Sequence, residues 1–120
     1  MPWFKVDDHF PTHRKVLRLP RGQRRLAAIG AWTMAGAWCS ANLTEGRIPK
    51  DVLDDLGIPA KAAADLVECG LWKTAPGGYA MHDFTSYNPT REQVQRDREA
   101  TAERQRRARE RAREKRDGAA

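Results

Sequence analysis

Apolar positions in the first ninety residues come in short blocks divided by glycine and proline, and each block has the period of one kind of element. Between Lys50 and Leu56, Val52, Leu53 and Leu56 share one helical face, and Gly57 ends the run as a positive-φ cap. Pro59 at a first helical position opens the next helix, with Ala62, Ala63, Leu66 and Val67 facing inward and Gly70 as its stop. Leu71-Trp72-Lys73 and Tyr79-Ala80-Met81 then read as two strands joined through Ala75-Pro76-Gly77-Gly78. Upstream, His13 to Leu19 forms a short helical turn ended by Pro20, and Pro20-Arg21-Gly22 is a connector. The main helix runs from about Gln23 to Ala41, with Leu26, Ile29, Trp32 and Trp38 as its large apolar residues. Its small residues, Gly30, Ala31, Ala35 and Gly36, permit close backbone packing. Thr44-Glu45-Gly46 turns the chain into a short strand at Arg47-Ile48.

Two short helices across a tight turn make a helix-turn-helix, and the hairpin that follows has the position of a wing. The fold class predicted is mainly α with a small β-hairpin: a winged helix-turn-helix over residues 1–89, followed by a charged C-terminal helix over residues 90–120. Thr90 and Gln93 form a capping box at the head of that last helix. Beyond them Val94 is the one sizeable hydrophobe, so no coiled-coil seam is present. Glu92/Arg96, Glu103/Arg107 and Arg106/Glu110 are opposite charges four residues apart, and such pairs in series hold a solvated, fraying helix partly formed.

Charge sharpens this division. The chain has 120 residues and a formal net charge of +6, which favours polyanionic partners. Residues 1–89 carry 11 Lys/Arg against 9 Asp/Glu, and residues 90–120 carry 11 against 7, so the excess is concentrated in the tail. Arg14, Lys15, Arg18, Arg21, Arg24 and Arg25 lie in a stretch from His9 to Leu43 that holds no acid. They either cover the rim of a small core with their aliphatic stems or contact phosphates. The tail arginines, Arg104, Arg106, Arg107, Arg109, Arg111 and Arg113, with Lys115 and Arg116, form either a solvated or partly disordered extension or a salt-sensitive nucleic-acid arm. Cys39 and Cys69 lack a close cysteine or a ligand-spaced histidine, so reduced, buried thiols in a cytoplasmic chain are expected. The uncharged stretch from Leu26 to Leu43 is long enough to raise the question of a membrane span. Its alanines, glycines, Thr33, Ser40 and Asn42 point instead to a helix enclosed by its own domain.

Five segments carry a family likeness: Trp3-Phe4-Lys5-Val6-Asp7-Asp8, His13 with Lys15-Val16, Leu43-Thr44-Glu45-Gly46-Arg47-Ile48-Pro49, Leu66-Val67-Glu68-Cys69-Gly70-Leu71-Trp72, and Gly78-Tyr79-Ala80-Met81-His82-Asp83-Phe84. Through them residues 3 to 91 resemble the small winged-helix proteins of actinobacterial phages and prophages, which are similar to the N-terminal domains of phage replisome organisers and DnaD-type primosomal proteins. The resemblance implies a winged helix that binds DNA, most naturally double-stranded, in replication initiation or transcriptional control inside a host cell. One feature departs from that pattern. A second helix that reads base edges normally presents Arg, Asn or Gln. This one is expected to expose Lys61, Ala64, Asp65 and Glu68, and the hairpin tip adds only nearby Lys73. Binding through phosphates is therefore expected from the 14–25 cluster, Lys61, Lys73 and the tail. The alternative is an adaptor whose acidic second helix, residues 60–69, docks a replication or transcription protein.

Catalytic chemistry has little support. His9 and His13 are four apart beside Asp7 and Asp8, too few assigned ligands for a metal site, and His13 is expected to pack at the helix start. His82-Asp83 resembles a metal-phosphohydrolase dipeptide but lacks further helical ligands, and reads as a strand-end pair in the core. No phosphate-binding glycine loop, no nucleophile elbow and no paired catalytic carboxylates in a recognisable setting occur, so no enzyme activity, cofactor or metal is expected. Trp32, Trp38 and Trp72 are read as core residues rather than base-stacking platforms.

Overall fold

The computed structural model describes residues 3–118, in two compact units, Met1–Pro89 and Thr90–Ala120. The first holds five helices and three strands among its described residues: α1 (Arg14–Leu17), α2 (Gln23–Asn42), β1 (Arg47–Pro49), α3 (Lys50–Asp55), α4 (Ala60–Cys69), β2 (Trp72–Ala75), β3 (Gly78–Met81) and α5 (Phe84–Tyr87). The second is one helix, α6 (Arg91–Gly118). The chain is thus mainly helical with a small antiparallel sheet.

Local signals account for most of these boundaries. Gly57 and Gly70 take φ of 71° and 92°, left-handed values that end α3 and α4. Pro59 stands one residue earlier than its expected first helical position, as the extended N-cap of α4. The early helix is shorter than the expected 13–19: His13 stands outside it as the N-cap, accepting the Lys15 amide at its Nδ1 (3.1 Å), and Arg18 is already its C-cap; Phe10–Thr12 ahead of it forms a separate 3-10 turn. In α6, the Thr90 amide donates to Gln93 Oε1 (2.8 Å) and the Gln93 amide to Thr90 Oγ1 (3.2 Å), the reciprocal pair of a capping box.

The sheet has the order β1-β3-β2, so β1, which precedes the two short helices, returns to pair with the far strand of the hairpin. Arg47 lies opposite Ala80 and Pro49 opposite Gly78, while Trp72 lies opposite Met81 and Ala75 opposite Gly78. Gly78 is required by this closeness: a Cβ there would run into the backbone carbonyl of Ile48. Pro76-Gly77 makes the hairpin turn, and the Gly77 carbonyl accepts the Lys50 amide (3.0 Å), tying the tip to the start of α3.

The core differs from the sequence expectation in one instructive respect. Along α2 the buried line is Ala28, Ala31, Ala35 and Cys39, not the large residues: Leu26 is 72% exposed, and Ile29, Trp32 and Trp38 are half-buried at the edge. Ala62 and Ala63 of α4, which packs on α2, are likewise buried. Alanine on both faces lets the two backbones approach closely, so the large side chains are displaced to the flanks. Gly30, expected to aid that packing, instead faces solvent. Leu53, Ile58, Leu66, Leu71, Trp72, Met81 and Phe84 complete the core.

The segment ahead of α1 has no regular structure except its 3-10 turn, yet it is anchored. The Phe4 ring lies over Gly36, where any side chain would collide with it. It packs edge-on to Trp32 (4.9 Å between centroids) and parallel to Phe84 (6.2 Å). Buried Asn88 adds a clasp, accepting the Lys5 amide (2.9 Å) and donating to the Phe84 carbonyl (3.1 Å). No helix among the described residues is long and apolar enough to cross a membrane.

Candidate nucleic-acid interface

The six cations of residues 14–25 do not act alike. Arg24 makes a two-pronged contact with Asp65 of α4, Nη2 to Oδ1 at 2.8 Å and Nε to Oδ2 at 3.3 Å. Lys61, one turn before Asp65 on α4, approaches the same carboxylate (3.7 Å). Asp65 is only 3% exposed, which corrects the expectation that it lies on the outer face of α4. An acid on an apolar helix face is tolerated because a planar guanidinium matches both carboxylate oxygens. The hydrogen bonds from Arg24 hold the Asp65 carboxyl below its usual pKa.

Arg25 is committed as well. Its Nη2 donates to the carbonyls of Leu17 (3.1 Å) and Leu19 (2.7 Å), groups that the end of α1 leaves without helical partners. Arg14, Lys15, Arg18 and Arg21 form no ion pair among the described residues; Arg14, Arg18 and Arg21 are exposed and Lys15 is half-buried, its stem against Gly70. The acid-free segment therefore presents four unpaired cations to a partner, not six.

With Asp65 turned inward, the exposed residues of α4 are Ala60, Lys61, Ala64 and Glu68. This face has one cation and one acid and lacks the side chains that read base edges. Lys73 is exposed on β2, while the hairpin tip itself is uncharged.

In α6 the pairing is local. Arg96 binds Glu92, and Arg106 (2.7 Å) and Arg107 (3.2 Å) both bind Glu103. The expected Arg106/Glu110 pair does not form, because Arg106 reaches back to Glu103 instead. Arg109, Arg111 and Arg113 are exposed and make no ion pair among the described residues, and Arg104 donates only to Thr101 Oγ1 (3.3 Å).

The histidines are placed differently from expectation. His82 and Asp83 are not in the core; they are about half exposed, with Nε2 and Oδ2 2.9 Å apart. Asp83 caps α5 at a left-handed φ of 54°, which turns the chain out of β3. His82 lines an open cavity of about 400 Å³ together with His9 and His13, so all three histidines of the chain meet at one place. No short-range spacing signals this convergence, since His82 joins through the packing of the N-terminal segment. Asp7, Asp8 and His9 bring one ligand atom each within 4.8 Å of one another, all on exposed side chains. Both cysteines are free thiols, buried, and burial pushes each thiol pKa up.

Comparison with protein-family models, curated proteins and solved structures finds no match for this chain.

Proposed function

We propose that residues 3–89 are a winged helix-turn-helix that binds double-stranded DNA through its phosphates, with α6 as a second basic contact. The observation that carries this reading is the acid-free segment in which Arg14, Lys15, Arg18 and Arg21 remain unpaired after the fold has used Arg24 and Arg25 internally. The element order supports it: a helix, a short strand, two helices across a tight turn, and a hairpin whose far strand pairs with that first strand. The weak base-reading face of α4 makes the binding independent of sequence and strongly salt-dependent. A role in phage replication initiation or transcriptional control follows from the resemblance alone.

The test is a fluorescence-anisotropy titration of a labelled duplex at several salt concentrations. Full-length protein is expected to bind with Kd of about 1 μM or tighter at low salt, weakening steeply as salt rises. Absence of binding at low salt sinks the proposal. In that case the adaptor is the remaining reading, without the acidic face expected of residues 60–69 because Asp65 is buried, and a pull-down from nuclease-treated host lysate becomes its test.

A further inference from the structure

The cavity between the N-terminal segment, α1, α2 and the β3–α5 junction is not explained by duplex binding, and its volume of about 400 Å³ lies within the range of small-ligand pockets. Its wall carries Lys5, Arg14 and Lys15, none of which forms an ion pair among the described residues. Each of the two acids in the wall has a contact of its own: Asp7 Oδ1 accepts the His9 amide (2.7 Å), and Asp83 lies against His82. Three cations against these two carboxylates leave the wall with a formal charge of +1, which favours an anion. His13 adds a donor: with Nδ1 accepting the Lys15 amide, a neutral imidazole carries its proton on Nε2.

Phe10, Trp32 and Tyr87 add three aromatic rings to the wall. Phe10 stacks on Trp32 (4.2 Å, 17°) and covers one of its faces, so the open ring is that of Tyr87, which is 60% exposed. An exposed aromatic ring in the same cavity as a group of cations is complementary to a ligand that joins an aromatic ring to a phosphate.

We propose that this cavity binds a nucleotide phosphomonoester, with the phosphate held by Arg14, Lys15 and Lys5 and the base against Tyr87. Two sources share that chemistry, a free mononucleotide and the 5′-phosphorylated end of a DNA strand. The inference stands on the cavity alone and does not depend on duplex binding.

The experiment titrates full-length protein with dAMP, deoxyadenosine, and one single-stranded oligonucleotide bearing either a 5′-phosphate or a 5′-hydroxyl, read by tryptophan fluorescence and calorimetry. Saturable dAMP binding with Kd of about 1 mM or tighter is expected. Deoxyadenosine is expected to bind about tenfold more weakly, because charge-assisted bonds to phosphate are lost. Arg14→Gln and Tyr87→Ala should each weaken dAMP by about 3- to 10-fold at unchanged melting temperature, since neither side chain is part of the core. A preference for the 5′-phosphorylated oligonucleotide over its 5′-hydroxyl twin assigns the strand end; dAMP binding without that preference assigns a free ligand. Lack of saturation by dAMP and by the phosphorylated strand up to about 10 mM overturns the proposal. So does equal affinity for dAMP and deoxyadenosine, or indifference to both substitutions. Two variants separate the readings: Tyr87→Ala should weaken dAMP and leave internal duplex binding intact, whereas Arg18→Glu/Arg21→Glu, outside the cavity, should weaken duplex binding and leave dAMP unchanged; loss of dAMP binding in the second variant overturns the cavity assignment.

Discussion

Residues 14–25 and residues 104–116 are both dense in Arg and Lys, but the folded unit and the lone helix hold that charge in different ways. In the first, two of six cations are structural: Arg24 neutralises a buried acid 41 positions away, and Arg25 ties off the end of α1. In the second, every ion pair among the described residues is with an acid three or four positions away, on side chains that remain well exposed. An arginine in the folded unit is thus available to a ligand only if no distant carboxylate or carbonyl has claimed it. Among residues 104–116 the ion pairs stay within one helical turn, although the sequence did not show that Arg106 takes Glu103 rather than Glu110. Counting charges along the chain is a fair guide to α6 and an overestimate for the 14–25 segment.

The largest effect that tests this contrast is on DNA affinity. The triple variant Arg14→Glu/Arg18→Glu/Arg21→Glu should weaken duplex binding by about 100-fold or more, and lower the slope of log affinity against log salt by about 3, with little change in melting temperature. Anisotropy at several salt concentrations measures both. Unchanged affinity would place the contacts elsewhere, and removing residues 90–120 then shows whether α6 carries them all.

Next in size is the loss of stability from Arg24→Gln, which leaves Asp65 buried with only Lys61 nearby. Thermal melting should show a clear drop, larger than for Arg14→Gln or Arg21→Gln; equal effects for all three would erase the distinction drawn above. Asp65 also predicts a pH dependence. Because its folded pKa is depressed, its contribution to stability is fully present above the ordinary aspartate value of about 4 and is lost as pH falls below that through the folded value. The melting-temperature gap between the wild type and Asp65→Asn should therefore be widest near neutrality and close in acid. A gap independent of pH would contradict the pairing.

Gly36→Ala comes third. The added methyl must push Phe4 off its seat, which is expected to cost about 1–3 kcal/mol by denaturant unfolding and to perturb the cavity wall through Trp32. The smallest effect belongs to α6: Glu92→Gln removes one exposed pair, worth about 0.5 kcal/mol or less, visible as a slight loss of helicity by circular dichroism that high salt reproduces in the wild type.

The sequence was most informative where the physics is local. The α3–Gly57–Pro59–α4–Gly70 punctuation, the Pro76-Gly77 turn and the Thr90/Gln93 cap depend on backbone preferences and on contacts within four residues, so reading the chain in order suffices. It was least informative where small or polar residues meet across the fold. The small residues of α2 were expected to permit close packing, but that Ala28, Ala31 and Ala35 form the core face while Trp32 and Trp38 sit at its edge could not be read in order, because a small residue gains burial only when another helix presents a matching small face. Asp65 looked like an exposed acid because its partner lies on α2.

By itself, then, the sequence determined the order of the elements, their ends and the charged nature of α6, since these follow from local torsional and electrostatic preferences. Only the tertiary structure decided which cations remain unpaired, that β1 returns to the hairpin, and that three histidines scattered along the chain share a cavity with Trp32. Those features depend on distances between residues far apart in the chain, which are set when the core packs.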